Sequence, residues 1–176
     1  MDLAPGDLLH AKLVTSPYAH AEIRSIDTTE AEALDGVRAV ATHRDAPDTR
    51  RGQFILDQPI LAAEKVRHIG DPVAIVAAET EAIAERAAGL VDVEYERLDS
   101  VFDLEAAFER DPPAVVHEDV RSYEFATRGD PRYGARGHVD DHDADRPNVL
   151  YKDSADVGDV DAAFADADHV IEGTYE

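Results

Sequence analysis

Apolar and polar residues alternate in short stretches from the first turns of the chain onward. Leu8–Val14 reads as a strand that Ser16-Pro17 breaks, since Pro17 brings no amide proton. Ala19–Ile26 reads as a second strand, with Ala21, Ile23 and Ser25 on one face. Thr29 and Glu32, three residues apart, fit a capping box opening a short helix, and Gly36 follows where a left-handed cap is expected. Val37–Thr42 is a further strand, and Asp45–Gly52 is a polar loop. Lys65–Ile69 reads as a short strand, followed by Gly70-Asp71-Pro72, which has turn chemistry.

The period changes in the middle of the chain. Val73–Ala78 is continuously apolar and predicts a central strand buried on both faces. Thr80 is a good N-cap for a helix through Ala88 that Gly89 stops, with Ile83, Ala87 and Leu90 as its apolar stripe. Val91, Val93 and Tyr95 alternate with acidic residues, the pattern of a strand with one wet face. Asp103 caps a short helix to Glu109, and Pro112-Pro113 follows. Asp119–Pro147 dissolves into Gly, Pro, Arg and Asp and reads as a long acidic loop, of a length that usually has a function. Order returns with Asn148–Lys152, a helix after Asp159 carrying Val160, Ala163 and Phe164, and a strand over His169–Tyr175. Short strands and helices in mixed order predict an α+β fold. Residues 1–176 are expected to form one domain. The unfinished last strand suggests a piece of a longer protein.

Composition narrows the function classes. The chain of 176 residues has 17 Lys and Arg against 39 Asp and Glu, a formal net charge of −22. Nucleic acid and anionic membrane surfaces repel that charge. No apolar run of transmembrane length and no signal peptide is written in the sequence, so the expected location is cytoplasmic. With no Cys there is no thiolate metal site, no cluster ligand and no cysteine nucleophile. Asp outnumbers Glu and Arg far outnumbers Lys. That bias suits a protein adapted to high salt, where dense carboxylates hold water and screening removes their repulsion. The rival reading is an acidic face for a basic partner.

Candidate chemistry is sparse. His138, Asp140, Asp141, His142 and Asp143 interleave metal-binding side chains, but an acidic run beside Gly137 reads as a solvated loop. Arg128, Arg132 and Arg136 recur every fourth residue near Gly129, Gly134 and Gly137, a pattern of a phosphate nest. The plainer reading is loop arginines pairing with the acidic surface. His10 and His20 flank the Ser-Pro break, and His20 reads as a structural histidine at a strand end. There is no GxSxG, no GxGxxG after a strand and no P-loop. The expected catalytic, cofactor-binding and metal-binding residues within this chain are therefore none.

One resemblance is specific. Leu8-Leu9-His10-Ala11 together with Ser16-Pro17-Tyr18-Ala19-His20-Ala21 resembles the LHA…SPxAHA opening of the large, molybdenum-binding subunit of the xanthine dehydrogenase, aldehyde oxidase and carbon monoxide dehydrogenase family. Lys65-Val66-Arg67-His68-Ile69-Gly70-Asp71-Pro72-Val73-Ala74 is similar to that family's KVRYVGEPVA. Val91–Glu96 resembles its VEVDYEPL strand, with Arg97 where Pro is usual, and Val115-Val116-His117 resembles its LVH. Gly158–Asp168 and Val170-Ile171-Glu172-Gly173 resemble the stretch closing the segment. Residues Phe125–Arg146 depart from the pattern, being longer and more charged.

The resemblance implies the family's α/β hammerhead domain, the N-terminal piece of the large subunit. It implies a role that is structural, in an oxidoreductase that takes its oxygen from water. Molybdopterin with its molybdenum, and the catalytic Glu, would lie beyond Glu176. The [2Fe–2S] clusters and FAD would lie on partner subunits or fused domains. The alternative is a stand-alone hammerhead module that binds partners without catalysis. A biotinyl or lipoyl carrier fits poorly, since its Lys usually lies beside Met at a hairpin tip and the single Met is Met1.

Overall fold

The structure is a computed structural model, and it describes residues 6–52, 55–118, 122–125, 145–149 and 157–173. Its frame is two antiparallel three-stranded sheets. The first has the order β1 (His10–Thr15), β8 (Pro72–Ala78), β3 (Val37–Thr42). The second has the order β7 (Lys65–Val66), β2 (Ala21–Asp27), β9 (Asp92–Arg97). Two small ribbons pair β4 (Arg50–Arg51) with β6 (Gln58–Pro59), and β5 (Ile55–Leu56) with β10 (Glu124–Phe125). Four short helices complete the described chain: α1 (Thr29–Glu32), α2 (Glu81–Ala88), α3 (Leu104–Phe108) and α4 (Val160–Ala165). The class is α+β, as expected. No helix among the described residues is long and apolar enough to cross a membrane.

The core forms where β8 runs through the middle of its sheet. Val73, Ala74, Val76 and Ala78 are all closed to solvent, and the first three join Ala21, Ile26 and Val66 of the second sheet with Ala87 of α2. Strand β8 has partner strands on both edges, but the expected burial of both faces is met only in part: Val76 and its side are closed, while Ile75 and Ala77 on the other side are half-buried. Helix α2 starts where Thr80 accepts the Ile83 amide (3.3 Å) and lays Ala84 and Ala87 on the sheet. Gly36 adopts φ +87°, and a Cβ there would stand 2.7 Å from Ile83 Cδ1, so glycine lets the turn before β3 pass under α2.

Several local expectations are corrected. A register shift between Ile23 and Ser25, where β2 pairs with β9, turns Ser25 to solvent and puts Ile26 inward. The capping box is replaced: the Thr29 amide donates to Asp27 Oδ1 (2.9 Å), while the Thr28 hydroxyl, one residue earlier, donates to Glu32 (2.7 Å). The strand expected over Lys65–Ile69 lasts only two residues, because the chain turns at Asp71, whose carboxylate takes the Arg67 amide. Within the expected long loop, Glu124–Phe125 is strand. The strand expected over His169–Tyr175 does not form across its described residues 169–173, which have no partner strand.

Candidate functional site

Three segments remote in sequence meet at one corner. Ser16 is buried; its amide donates to the Asp71 carbonyl (2.8 Å), and its carbonyl accepts from Gly70 (2.9 Å). Its hydroxyl accepts the Tyr18 amide (3.0 Å). The Asp71 carboxylate accepts the Arg67 amide (2.6 Å), and Gly70 holds φ +97° to make the turn. His20 is buried too, with Nδ1 2.7 Å from the Asp99 carbonyl, while its own carbonyl takes the Leu98 amide (3.1 Å). Tyr18 stands edge-on to Tyr95, and the Arg97 guanidinium lies 4.3 Å from the Tyr18 ring centre. The Ser-Pro break, the Gly-Asp-Pro turn and the end of β9 are therefore knitted by side chain to backbone.

A cleft of about 200 Å³ opens beside this corner, lined by His20, Arg67, Ile69, Phe102 and Val116 among others. The His20 Nε2 atom is buried without a hydrogen-bond partner. Arg67 reaches across to donate to the Val116 carbonyl (3.0 Å). A larger, open groove of about 820 Å³ has Arg24, Arg50, Lys65 and Arg67 on its walls. Each of these cations is already engaged: Arg24 with Glu22 and Glu96, Arg50 with the Asp57 carbonyl, Lys65 and Arg67 with Glu118. The groove is charge-balanced in a strongly anionic chain, so it offers no ready cradle for a phosphate.

The side chains best arranged for proton transfer escaped the sequence reading. His117 Nδ1 lies 3.0 Å from the Tyr123 hydroxyl, and its Nε2 lies 4.0 Å from Asp57 Oδ2. Burial pulls the His117 pKa below its ordinary 6.5, and the Arg67 charge adds to the effect against Asp57 and Glu118. Burial pushes the neighbouring Glu118 carboxyl up, but the Lys65 hydrogen bond and the nearby positive charges outweigh it and hold it low. Only Val115-Val116-His117 could have flagged this cluster, and no spacing rule links His117 to Asp57.

Asn148 clamps the same region, donating to the Ala114 carbonyl (2.7 Å) and accepting the Val116 amide (2.9 Å). His117, Tyr123, Asp57 and the β5–β10 pair tie residues 55–57, 114–118 and 122–125 together. Of the residues singled out in the sequence, His10 sits in β1 and His20 in the corner. His138, Asp140, Asp141, His142 and Asp143, with Arg128, Arg132, Arg136 and their glycines, lie outside the described residues. Among the described residues no three His, Asp or Glu side chains gather to hold a metal.

Comparison with known proteins gives these motifs their context. The family model for aldehyde oxidase and xanthine dehydrogenase, a/b hammerhead domain, matches residues 2–99. A probable xanthine dehydrogenase subunit of Bacillus subtilis (strain 168) is 38% identical over 176 residues, covering 99% of this chain and 20% of its own length. The nicotinate dehydrogenase large molybdopterin subunit of Eubacterium barkeri is 35% identical, with 99% and 35% covered. Among solved structures, quinoline 2-oxidoreductase from Pseudomonas putida 86 superposes with a TM-score of 0.59 at 39% identity, covering 66% of this chain and 16% of that one. Reconstituted CO dehydrogenase from Oligotropha carboxidovorans gives 0.62 at 36% identity, covering 68% and 15%. The chain thus spans a fifth to about a third of the length of these two curated relatives. By the family model, the collinear motifs and the shared fold, the chain belongs to the aldehyde oxidase and xanthine dehydrogenase family and carries its a/b hammerhead domain.

Proposed function

We propose that residues 1–176 act as one architectural, non-catalytic N-terminal domain in the large subunit of a molybdenum-containing hydroxylase or dehydrogenase. One observation carries the reading. Ser16, His20 and Gly70, which match the family motifs, and Asp71, where the motif has Glu, bond to neighbouring backbone and join two sheets. Such a corner sets the shape of a domain. The intact polypeptide would bind molybdopterin with regions outside this chain, and the bound molybdenum would supply two-electron oxidation with oxygen from water. In support of this reading, the groove cations Arg24, Lys65 and Arg67 are already paired with carboxylates of the same chain. Partners are then the remaining domains of the large subunit, followed by iron–sulfur and flavin subunits. The same reading implies a cytoplasmic location.

The test is to purify the intact polypeptide with its co-expressed neighbours, measure molybdenum and pterin, and assay aldehydes and N-heteroaromatics in isotope-labelled water. Stoichiometric molybdenum with label in the product is expected. A metal-free complex that oxidises none of them would contradict the proposal.

The acidic surface has its own proposed role, adaptation to concentrated salt. Its support is the imbalance of 39 acids over 17 bases, with the acidic partners of Lys12, Arg24 and Arg38 lying on exposed side chains where screening is strong. The melting temperature should climb with potassium chloride up to molar concentration. A flat profile would favour a basic partner instead.

A further inference from the structure

We propose that the face of the β1–β8–β3 sheet turned away from α2 is the seat for another region of the same large-subunit polypeptide. The inference rests on the reading above. Strand alternation and register define the face. Ala11 pairs with Ala77 and Ala77 with Ala39; Leu13 pairs with Ile75 and Ile75 with Ala41. Six residues thus make two complete cross-strand rows, all on one side. The opposite side carries Lys12, Val76 and Val40, and α2 lies over it, with Lys12 Nζ 3.4 Å from Glu85.

The two sides differ sharply in cover. Val76 is fully buried, whereas Leu13 is 50% exposed and Ala11 and Ala39 are open to solvent. Ile75, Ala41 and Ala77 are only half-buried, and none of the six belongs to the core cluster. Neither row holds a charge, in a chain with 56 charged residues of Lys, Arg, Asp and Glu. An uncharged patch with no helix over it among the described residues, on an otherwise densely charged molecule, marks a surface meant to be covered. Its four alanines let an apolar neighbour approach the strand backbones closely.

Charge and length select the occupant. A second copy would bring another −22 to the contact, and that repulsion opposes a dimer. The Bacillus subtilis relative has four-fifths of its length outside the matched part, so most of a large subunit is available to cover the face. A tethered occupant docks at high effective concentration and needs little area to stay.

The chain has no cysteine, so Ala39→Cys places a thiol on the face, read by peptide mass spectrometry. Its maleimide labelling is compared in the native and the denatured intact polypeptide. A covered face slows native labelling by at least about a hundredfold, and the slowing persists on dilution. Native labelling within about threefold of the denatured rate would overturn the proposal, and so would protection lost on dilution, which assigns the face to a second copy. Ala11→Cys repeats the measurement should Ala39→Cys fail to fold. Molybdenum and pterin content of the same sample tests the parent reading separately: protection without pterin leaves the docked face standing and removes the enzyme.

Discussion

Helices α2 and α4 start in the same way and end in different circumstances. Thr80 caps one by accepting the Ile83 amide, and Asp159 caps the other by accepting the Ala162 amide (2.9 Å). Both begin with an acidic residue in the first turn, which suits the helix dipole. Yet α2 buries Ala84 and Ala87 against β1 and β8, whereas α4 buries no residue and leaves Phe164 60% exposed. Capping decides where a helix starts. Helices this short are marginal alone, so tertiary cover decides whether one is part of the cooperative fold. The region around β8 should therefore unfold as a unit, and residues 157–173 should open independently in the isolated chain.

The sharpest break of this comparison is a pair of truncations. Val76→Ala deletes two methyl groups from a fully buried site and should cost roughly 2–3 kcal/mol in urea unfolding. Phe164→Ala removes a much larger side chain and should cost less than about 0.5 kcal/mol, because little of it leaves water. Equal costs would show that α4 is packed into the core. Two glycines extend the test. Gly36 and Gly158 both have positive φ, but a Cβ at Gly36 meets Ile83 while one at Gly158 meets nothing within 4 Å. Gly36→Ala should lower global stability by about 2 kcal/mol, from left-handed strain plus the clash. Gly158→Ala should raise amide exchange locally and leave the main transition in place.

Smaller still are the caps. Thr80→Ala should cost about 1 kcal/mol globally. Asp159→Ala should leave the melting temperature unchanged and lower helix content alone.

The smallest effect is a pH dependence. His117 has a pKa held below 6.5 by burial first and Arg67 second, so the unfolded chain binds its proton more readily than the folded one. Stability then falls as pH drops from above 6.5 through that value toward the lower folded pKa. His117→Gln should flatten this component. An unchanged slope in the variant would assign the dependence to other groups.

The sequence showed most clearly what is local or continuous. Val73–Ala78, the Thr80 cap, the Val91–Tyr95 alternation and the Asp103 and Asp159 caps all appear where the residue pattern put them. What was hidden depends on partners across the fold. The shift at Ser25 comes from pairing with β9, and Asp27 competes with Thr29 for a role that either residue type can fill. Residues 169–173 have strand-like composition, but composition without a neighbouring edge makes no strand. The His117, Tyr123 and Asp57 cluster is assembled by the ribbon of β5 and β10, so no single stretch announces it. The Ser-Pro and Gly-Asp-Pro motifs were legible as words, and the structure shows their physical content as one bonded corner.

The central claim is that this domain is scaffold and holds no cofactor by itself. The direct measurement is to express the 176-residue chain alone in a host that makes molybdopterin, purify it in high salt, and assay pterin and molybdenum against protein. The account predicts a cooperatively folded chain with neither group bound. Stoichiometric pterin on the folded chain would contradict it.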